Sequence, residues 1–107
     1  MNFLSLDVGT TCCKCQLFSK RGEILAYKSE EYPLVEQDGE SYVDIVGICA
    51  RVFSMMKEMT EKGYACVCIS SFGEAFVLLD KEDNLLIYPM LYTDPRGEEQ
   101  TKILRDE

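Results

Sequence analysis

Five consecutive residues, Asp7-Val8-Gly9-Thr10-Thr11, bring together a carboxylate, a glycine and two hydroxyls. An apolar run from Asn2 to Val8 leads into them, and a second run from Cys13 to Phe18 leads away. A carboxylate at a strand end suits the water shell of a hard cation. A tight turn of small residues offers backbone N–H groups and hydroxyls to an anion. The pattern therefore predicts a nucleotide-phosphate loop. Gly9, Thr10 and Thr11 meet the phosphates, and Asp7 faces a hydrated metal ion.

Two further stretches carry polar side chains at breaks between apolar runs. Ser71-Phe72-Gly73-Glu74 follows one such run, and Tyr92-Thr93-Asp94-Pro95-Arg96 follows another. Glu74 places a carboxylate at the first of these breaks. Asp94 and Arg96 read as an internal ion pair that fixes a loop. The chain has six cysteines and no histidine. The absence of histidine excludes Ser-His-Asp and Cys-His catalysis and the commonest metal ligand. Cys13 and Cys15, and likewise Cys66 and Cys68, sit two apart on strands, so each pair shares a face. In the expected strand order the pairs stand about two strand spacings apart, ~9–10 Å. That disfavours a four-thiol zinc site, and the cysteines read as small buried apolar residues in a reducing cytoplasm.

These residues need elements to hold them. Strand one is expected over Phe3 to Asp7 and strand two over Cys13 to Phe18. A polar turn at Ser19 to Glu23 leads to strand three, Ile24 to Glu30. Tyr32 to Gly39 reads as a loop. A helix follows from about Asp44 to Lys62, with Ile45, Val46, Cys49, Val52, Phe53, Met56 and Met59 on its buried face. Asp44 or Ser41 caps its start and Gly63 stops it. The group Met55, Met56 and Met59 reads as core filling. Tyr64 to Ser70 is a fourth strand, apolar enough to be covered on both faces. Ala75 to Leu79 and Leu85 to Tyr88 form a hairpin around Asp80 to Asn84, and Glu98 to Glu107 has helical propensity.

Three antiparallel strands, a crossover helix and a strand parallel to the first begin a ribonuclease H-like, or actin-like ATPase, α/β fold. One long helix leaves a sheet face thinly covered and a sheet edge open, so the fold is expected to be incomplete in this chain. The bulk numbers agree with a soluble domain: 107 residues, 47% apolar, 28% charged. A net charge of −8 without a basic stripe argues against nucleic acid and anionic membranes. No run approaches the roughly 20 apolar residues of a membrane span, and the first residues do not read as a signal peptide.

Four segments together resemble the FGGY carbohydrate kinases. They are Asp7 to Thr11 followed by Lys14 and Leu17-Phe18; Val35-Glu36-Gln37-Asp38; Ile69 to Glu74 followed by Val77 to Asp80; and Tyr92 to Arg96. The resemblance covers the whole chain but less than half of the first of the family's two domains. It implies ATP-dependent phosphorylation of a sugar or polyol hydroxyl with Mg²⁺, in a cleft between the domains. By the same resemblance Asp7 holds the metal's water shell, Gly9, Thr10 and Thr11 meet the phosphates, and Gly73 and Glu74 meet the substrate. Asp94 and Arg96 support the site without touching substrate. Gly73 stands where glycerol kinase has arginine, which argues against glycerol.

The resemblance also implies that residues 1–107 are the N-terminal part of domain I. The rest of domain I, domain II, the catalytic base and most of the adenine site then lie on further chain. That rest of the kinase is the expected partner, beside the sugar, and a homo-oligomer is compatible with it. Two other readings share the topology. A non-catalytic module of actin-like fold would bind a partner and no nucleotide. A ribonuclease H-type nuclease would need more carboxylates on the helix and the fourth strand.

Overall fold

The computed structural model describes residues 1–106. Its main sheet begins with β1 (Asn2–Val8), β2 (Cys12–Ser19) and β3 (Ile24–Glu31). Alternation sets their faces. Leu4 and Leu6 of β1 and Cys13, Cys15 and Leu17 of β2 point inward and are buried, while Phe3, Ser5, Asp7, Lys14 and Gln16 take the other face. The three strands pair antiparallel as expected, with Leu6 opposite Cys15 and Cys15 opposite Lys28.

The expected loop at Tyr32 to Gly39 is instead mostly a hairpin of β4 (Val35–Gln37) and β5 (Glu40–Tyr42). Its turn has positive φ at both central residues, Asp38 at 53° and Gly39 at 79°. That is the mirror-image turn whose twist matches paired strands, and Asp-Gly is its preferred sequence.

Next comes α1 (Ile45–Thr60), capped by Asp44, whose carboxylate accepts the Gly47 N–H at 2.9 Å. The buried face differs from expectation. Ile48, Met55 and Met59 are buried, with Val52 and Met56 partly covered, whereas Val46, Cys49 and Phe53 are exposed. The helix carries two overlapping apolar stripes, and periodicity alone does not choose between them. The methionines are core filling, as expected, with Met55 wholly buried.

The helix lies over β1, β2 and β3, and β6 (Cys66–Ser71) then joins β1 in parallel, giving the order β3-β2-β1-β6. Here too the structure corrects an expectation. β6 is an edge strand beyond the reach of α1, and most of it, including Ile69, is exposed. Cys66 and Cys68 lie in register with Phe3 and Ser5, on the face opposite to Cys13 and Cys15. The two thiol pairs therefore face away from each other, and among the described residues no three His, Cys, Asp or Glu side chains gather as a metal cage. Only Cys13 and Cys15 are buried. Cys12 is half-buried and Cys49, Cys66 and Cys68 are exposed, so half of the six do not behave as core residues.

A short hairpin of β7 (Leu78–Leu79) and β8 (Leu85–Ile87) follows. Asp80 organises its turn by accepting the N–H groups of Glu82 and Asn84 at 2.9 and 2.8 Å. The chain then runs through residues 89–96 into α2 (Glu98–Asp106). Glu107, the last residue of the expected helix, lies outside the described residues. No described helix is long and apolar enough to cross a membrane.

Candidate active site

β1 and β6 run parallel, so their C-terminal ends share one edge of the sheet. That edge holds the candidate chemistry. Asp7 is exposed near the end of β1, opposite Lys14 on β2 and Ser70 on β6. Cross-strand partners share a face, so the Lys14 ammonium and the Asp7 carboxylate flank the same surface. Beyond Asp7 the chain turns through Thr10 and Thr11, closed by the Gly9 N–H donating to the Cys12 carbonyl at 2.9 Å. A Cβ on Gly9 would sit 3.0 Å from that carbonyl oxygen, so the turn is as tight as a glycine permits. Thr11 is exposed and Thr10 half-buried at the tip.

Phe72 leaves β6 and donates its N–H to the Val8 carbonyl at 2.9 Å, which locks the start of the second turn against β1. Thr10 then lines one narrow crevice with Phe72, Gly73, Leu91 and Tyr92. The Gly9-Thr10-Thr11 turn and the Gly73-Glu74 turn are thereby neighbours. A Cβ on Gly73 would meet no atom within 4 Å, so the space in front of it is open.

Glu74 is exposed and adopts φ +64°, a conformation that costs a non-glycine residue roughly 1–2 kcal/mol. Its side of the turn borders a cleft of about 230 Å³ that also takes in Tyr88, Tyr92, Asp94 and Arg96. Within that cleft Arg96 donates to both carboxylate oxygens of Asp94, at 2.8 and 2.6 Å, and to the Tyr42 hydroxyl at 2.9 Å. The Arg96 guanidinium holds the Asp94 carboxyl below the usual carboxylate range, through side-chain and then backbone hydrogen bonds. The expected ion pair is present, and it shares a cleft wall with Glu74.

Three contributors were not picked out as site residues from the sequence. Lys14 is one, recognisable only once β1 and β2 are in register. Tyr92 is another. Its exposed ring lines both clefts, and an amphipathic ring beside a carboxylate suits the mixed C–H and O–H surface of a sugar. The third is Tyr32, buried beneath the Gly9-Thr10-Thr11 turn, with its hydroxyl donating to the Gly9 carbonyl and lying 3.1 Å from that of Cys12. Burial, then the Cys13 and Cys12 thiols and Asp7, push its hydroxyl up to about 12.

This arrangement can be set beside known proteins. The family model described as "FGGY family of carbohydrate kinases, N-terminal domain" matches residues 2–107. The chain belongs to the FGGY family. Rhamnulokinase of Bacteroides thetaiotaomicron is 32% identical over 99 residues, spanning 88% of this chain and 20% of the relative. Gluconokinase of Bacillus subtilis is 27% identical, spanning 97% of this chain and 21% of the relative. The chain thus spans about a fifth of the length of these curated relatives.

Among solved structures, gluconate kinase from Lactobacillus acidophilus superposes with a TM-score of 0.85 at 24% identity, over 98% of this chain and 22% of the other. Xylulose kinase from Rhodospirillum rubrum gives 0.84 at 22% identity, over 100% and 24%. The fold is the actin-like ATPase fold of sugar kinases, with the meander, crossover helix and parallel fourth strand of that core.

Proposed function

We propose that the full-length FGGY protein carrying this chain transfers the γ-phosphoryl group of ATP to a hydroxyl of a sugar or polyol. Residues 1–107 are read as the N-terminal part of its first domain. The remainder of that domain and the second domain would come from further chain. The observation that carries this reading is the crevice shared by Thr10 and Gly73. It sets a phosphate-type turn beside a turn bearing a carboxylate for hydroxyl recognition.

Phosphoryl transfer asks a protein mainly for positioning and charge neutralisation. The Gly9-Thr10-Thr11 turn offers N–H and hydroxyl donors to the phosphates, and Lys14 adds positive charge on the same side as Asp7. The donor set fits Mg²⁺. A lone exposed carboxylate at Asp7, without a cage of acids among the described residues, matches an ion held by one carboxylate, waters and substrate phosphates. When bound, the ion would neutralise charge on the phosphate oxygens. Glu74 accepts hydroxyls of the substrate, Tyr92 offers a face for its ring, and Asp94 with Arg96 stiffens the wall behind them.

Gly73 leaves space where glycerol kinase carries an arginine. That favours substrates larger than glycerol, such as the ketoses and sugar acids for which the relatives are named. A nuclease is disfavoured by the sheet-facing side of α1, which carries Ile48, Val52, Met55 and Met59 where metal-binding acids would be needed. A cytoplasmic location and no nucleic-acid partner accord with free cysteines and a charge of −8. Self-association stays compatible with the reading.

The test is a thermal-shift screen of the full-length protein against rhamnulose, gluconate, xylulose and glycerol, followed by a coupled ADP assay with the best binder. Stabilisation by a ketose or sugar acid and sugar-dependent ADP release are expected. A preference for glycerol would refute the role given to Gly73.

A further inference from the structure

Tyr32 stands just after β3 and belongs to the core cluster, with 7% of its surface exposed. It engages three of the carbonyls that define the phosphate turn. The hydroxyl donates to the Gly9 carbonyl and lies 3.1 Å from the Cys12 carbonyl. The Tyr32 backbone N–H donates to the Thr11 carbonyl at 3.1 Å. One residue just past β3 thus grips the hairpin of β1 and β2 by its carbonyl oxygens. The nearest of these partners in sequence is 20 residues away for the hydroxyl.

The direction of those carbonyls matters to an anion. A trans peptide unit is planar, and its C=O and the following N–H point opposite ways. With the Gly9 carbonyl held toward the buried Tyr32 hydroxyl, the N–H of Thr10 is directed away from the core. That N–H takes no backbone carbonyl partner among the described residues. A free rotation of the same peptide would instead offer carbonyl oxygens, which repel phosphate.

We propose that Tyr32 is a positioning residue for phosphate binding: it turns the Gly9, Thr11 and Cys12 carbonyls inward and so presents the Thr10 amide to a nucleotide phosphate. The proposal rests on the kinase reading above. Tyr32 touches neither nucleotide nor sugar.

The test compares the full-length protein with its Tyr32→Phe variant, which keeps the ring and loses the donor. KM for ATP and for the sugar, kcat and the melting temperature are measured. Losing the hydrogen bond that orders the turn should raise KM for ATP about tenfold. KM for the sugar should stay within about twofold, since Tyr32 lies away from the Glu74 cleft. A variant that melts earlier but keeps the wild-type KM for ATP would overturn the proposal, because a core-filling role predicts that result. So would an equal rise in both KM values.

If Tyr32→Phe does not fold, amide exchange in the wild type decides. ADP with Mg²⁺ should slow exchange at Thr10, and unchanged exchange at Thr10 despite bound ADP would overturn the proposal. Wild-type protein that neither binds ADP nor turns over ATP with sugar would refute the kinase reading itself. An active wild type with an indifferent variant refutes only the role of Tyr32.

Discussion

Arg96 grips Asp94 with two nitrogens, Nε to Oδ1 at 2.8 Å and Nη2 to Oδ2 at 2.6 Å, and spends its third on the Tyr42 hydroxyl at 2.9 Å. The guanidinium also stacks over the Tyr42 ring, 5.0 Å from its centre. One planar cation thereby ties the cleft wall at 90–96 to β5, which already meets it through the Tyr42–Met90 bridge. A lysine ammonium cannot hold a carboxylate in two places and a phenol in a third. Arg96→Lys should therefore speed amide exchange in residues 91–97 and in the β4–β5 hairpin. Sugar affinity should weaken several-fold while nucleotide affinity holds. Hydrogen exchange and calorimetric titration of the full-length protein check this, and unchanged exchange in both segments would contradict it.

Acid should act on two named carboxylates last. Asp94 is held below the usual carboxylate range by Arg96, and Asp80 by the Asn84 side chain and then the Asn84 backbone. For a lowered pKa, the stabilisation is complete above the unfolded value and is lost as pH falls through the folded one. Both turns should thus be indifferent to pH near neutrality and should open only at strongly acidic pH. Carboxyl chemical shifts followed through an acid titration will show it. Titration of either residue at or above the ordinary carboxylate range would contradict the assigned hydrogen bonds.

Glu74 should show a conflict between stability and function. Its φ of +64° suits glycine better than glutamate. Glu74→Gly should leave stability unchanged or raise it by about 1 kcal/mol, while sugar binding weakens about tenfold or more through loss of a charged acceptor. Denaturant unfolding and sugar titration on the same variant separate the two effects. A variant that loses stability yet binds sugar normally would show that Glu74 serves the turn alone.

The corrected face of α1 has its own test. Met55 is fully buried against the sheet, so Met55→Ala should cost about 2–5 kcal/mol. Chemical denaturation measures it, and a cost below about 1 kcal/mol would return the helix to the face expected from sequence.

That helix marks where legibility ends. Alternation writes β1 and β2 directly, because Leu4, Leu6, Cys13, Cys15 and Leu17 meet one buried layer while Ser5, Lys14 and Gln16 do not. The parallel placement of β6 follows from the crossover helix. The register of α1 does not, since Val46, Cys49 and Phe53 continue a stripe as apolar as the one the sheet covers. The β4–β5 hairpin had a signal in Asp38-Gly39, but strands of three residues carry too little alternation to read. At the site, Asp7, Gly9, Thr10, Thr11, Gly73 and Glu74 are visible as types and order. Their adjacency is tertiary, and so is the grip of Tyr32 on carbonyls 20 and 23 residues away.

If the catalytic base and the second domain lie on further chain, as proposed, residues 1–107 alone should release no ADP in a sugar-dependent way. Sugar-dependent turnover by that isolated stretch would contradict it.

The central claim is that the Asp7 to Thr11 turn and the Gly73-Glu74 turn are two sides of one phosphoryl-transfer site. Sugar-dependent ADP release by the full-length protein with ATP and Mg²⁺, measured for wild type and for Asp7→Asn, tests it most directly. The account predicts release that depends on sugar in the wild type and falls by about a hundredfold or more in Asp7→Asn, the scale of losing one electrostatic contact to the transition state. Undiminished release by Asp7→Asn, or no sugar-dependent release by the wild type across ketoses, sugar acids and polyols, would contradict it.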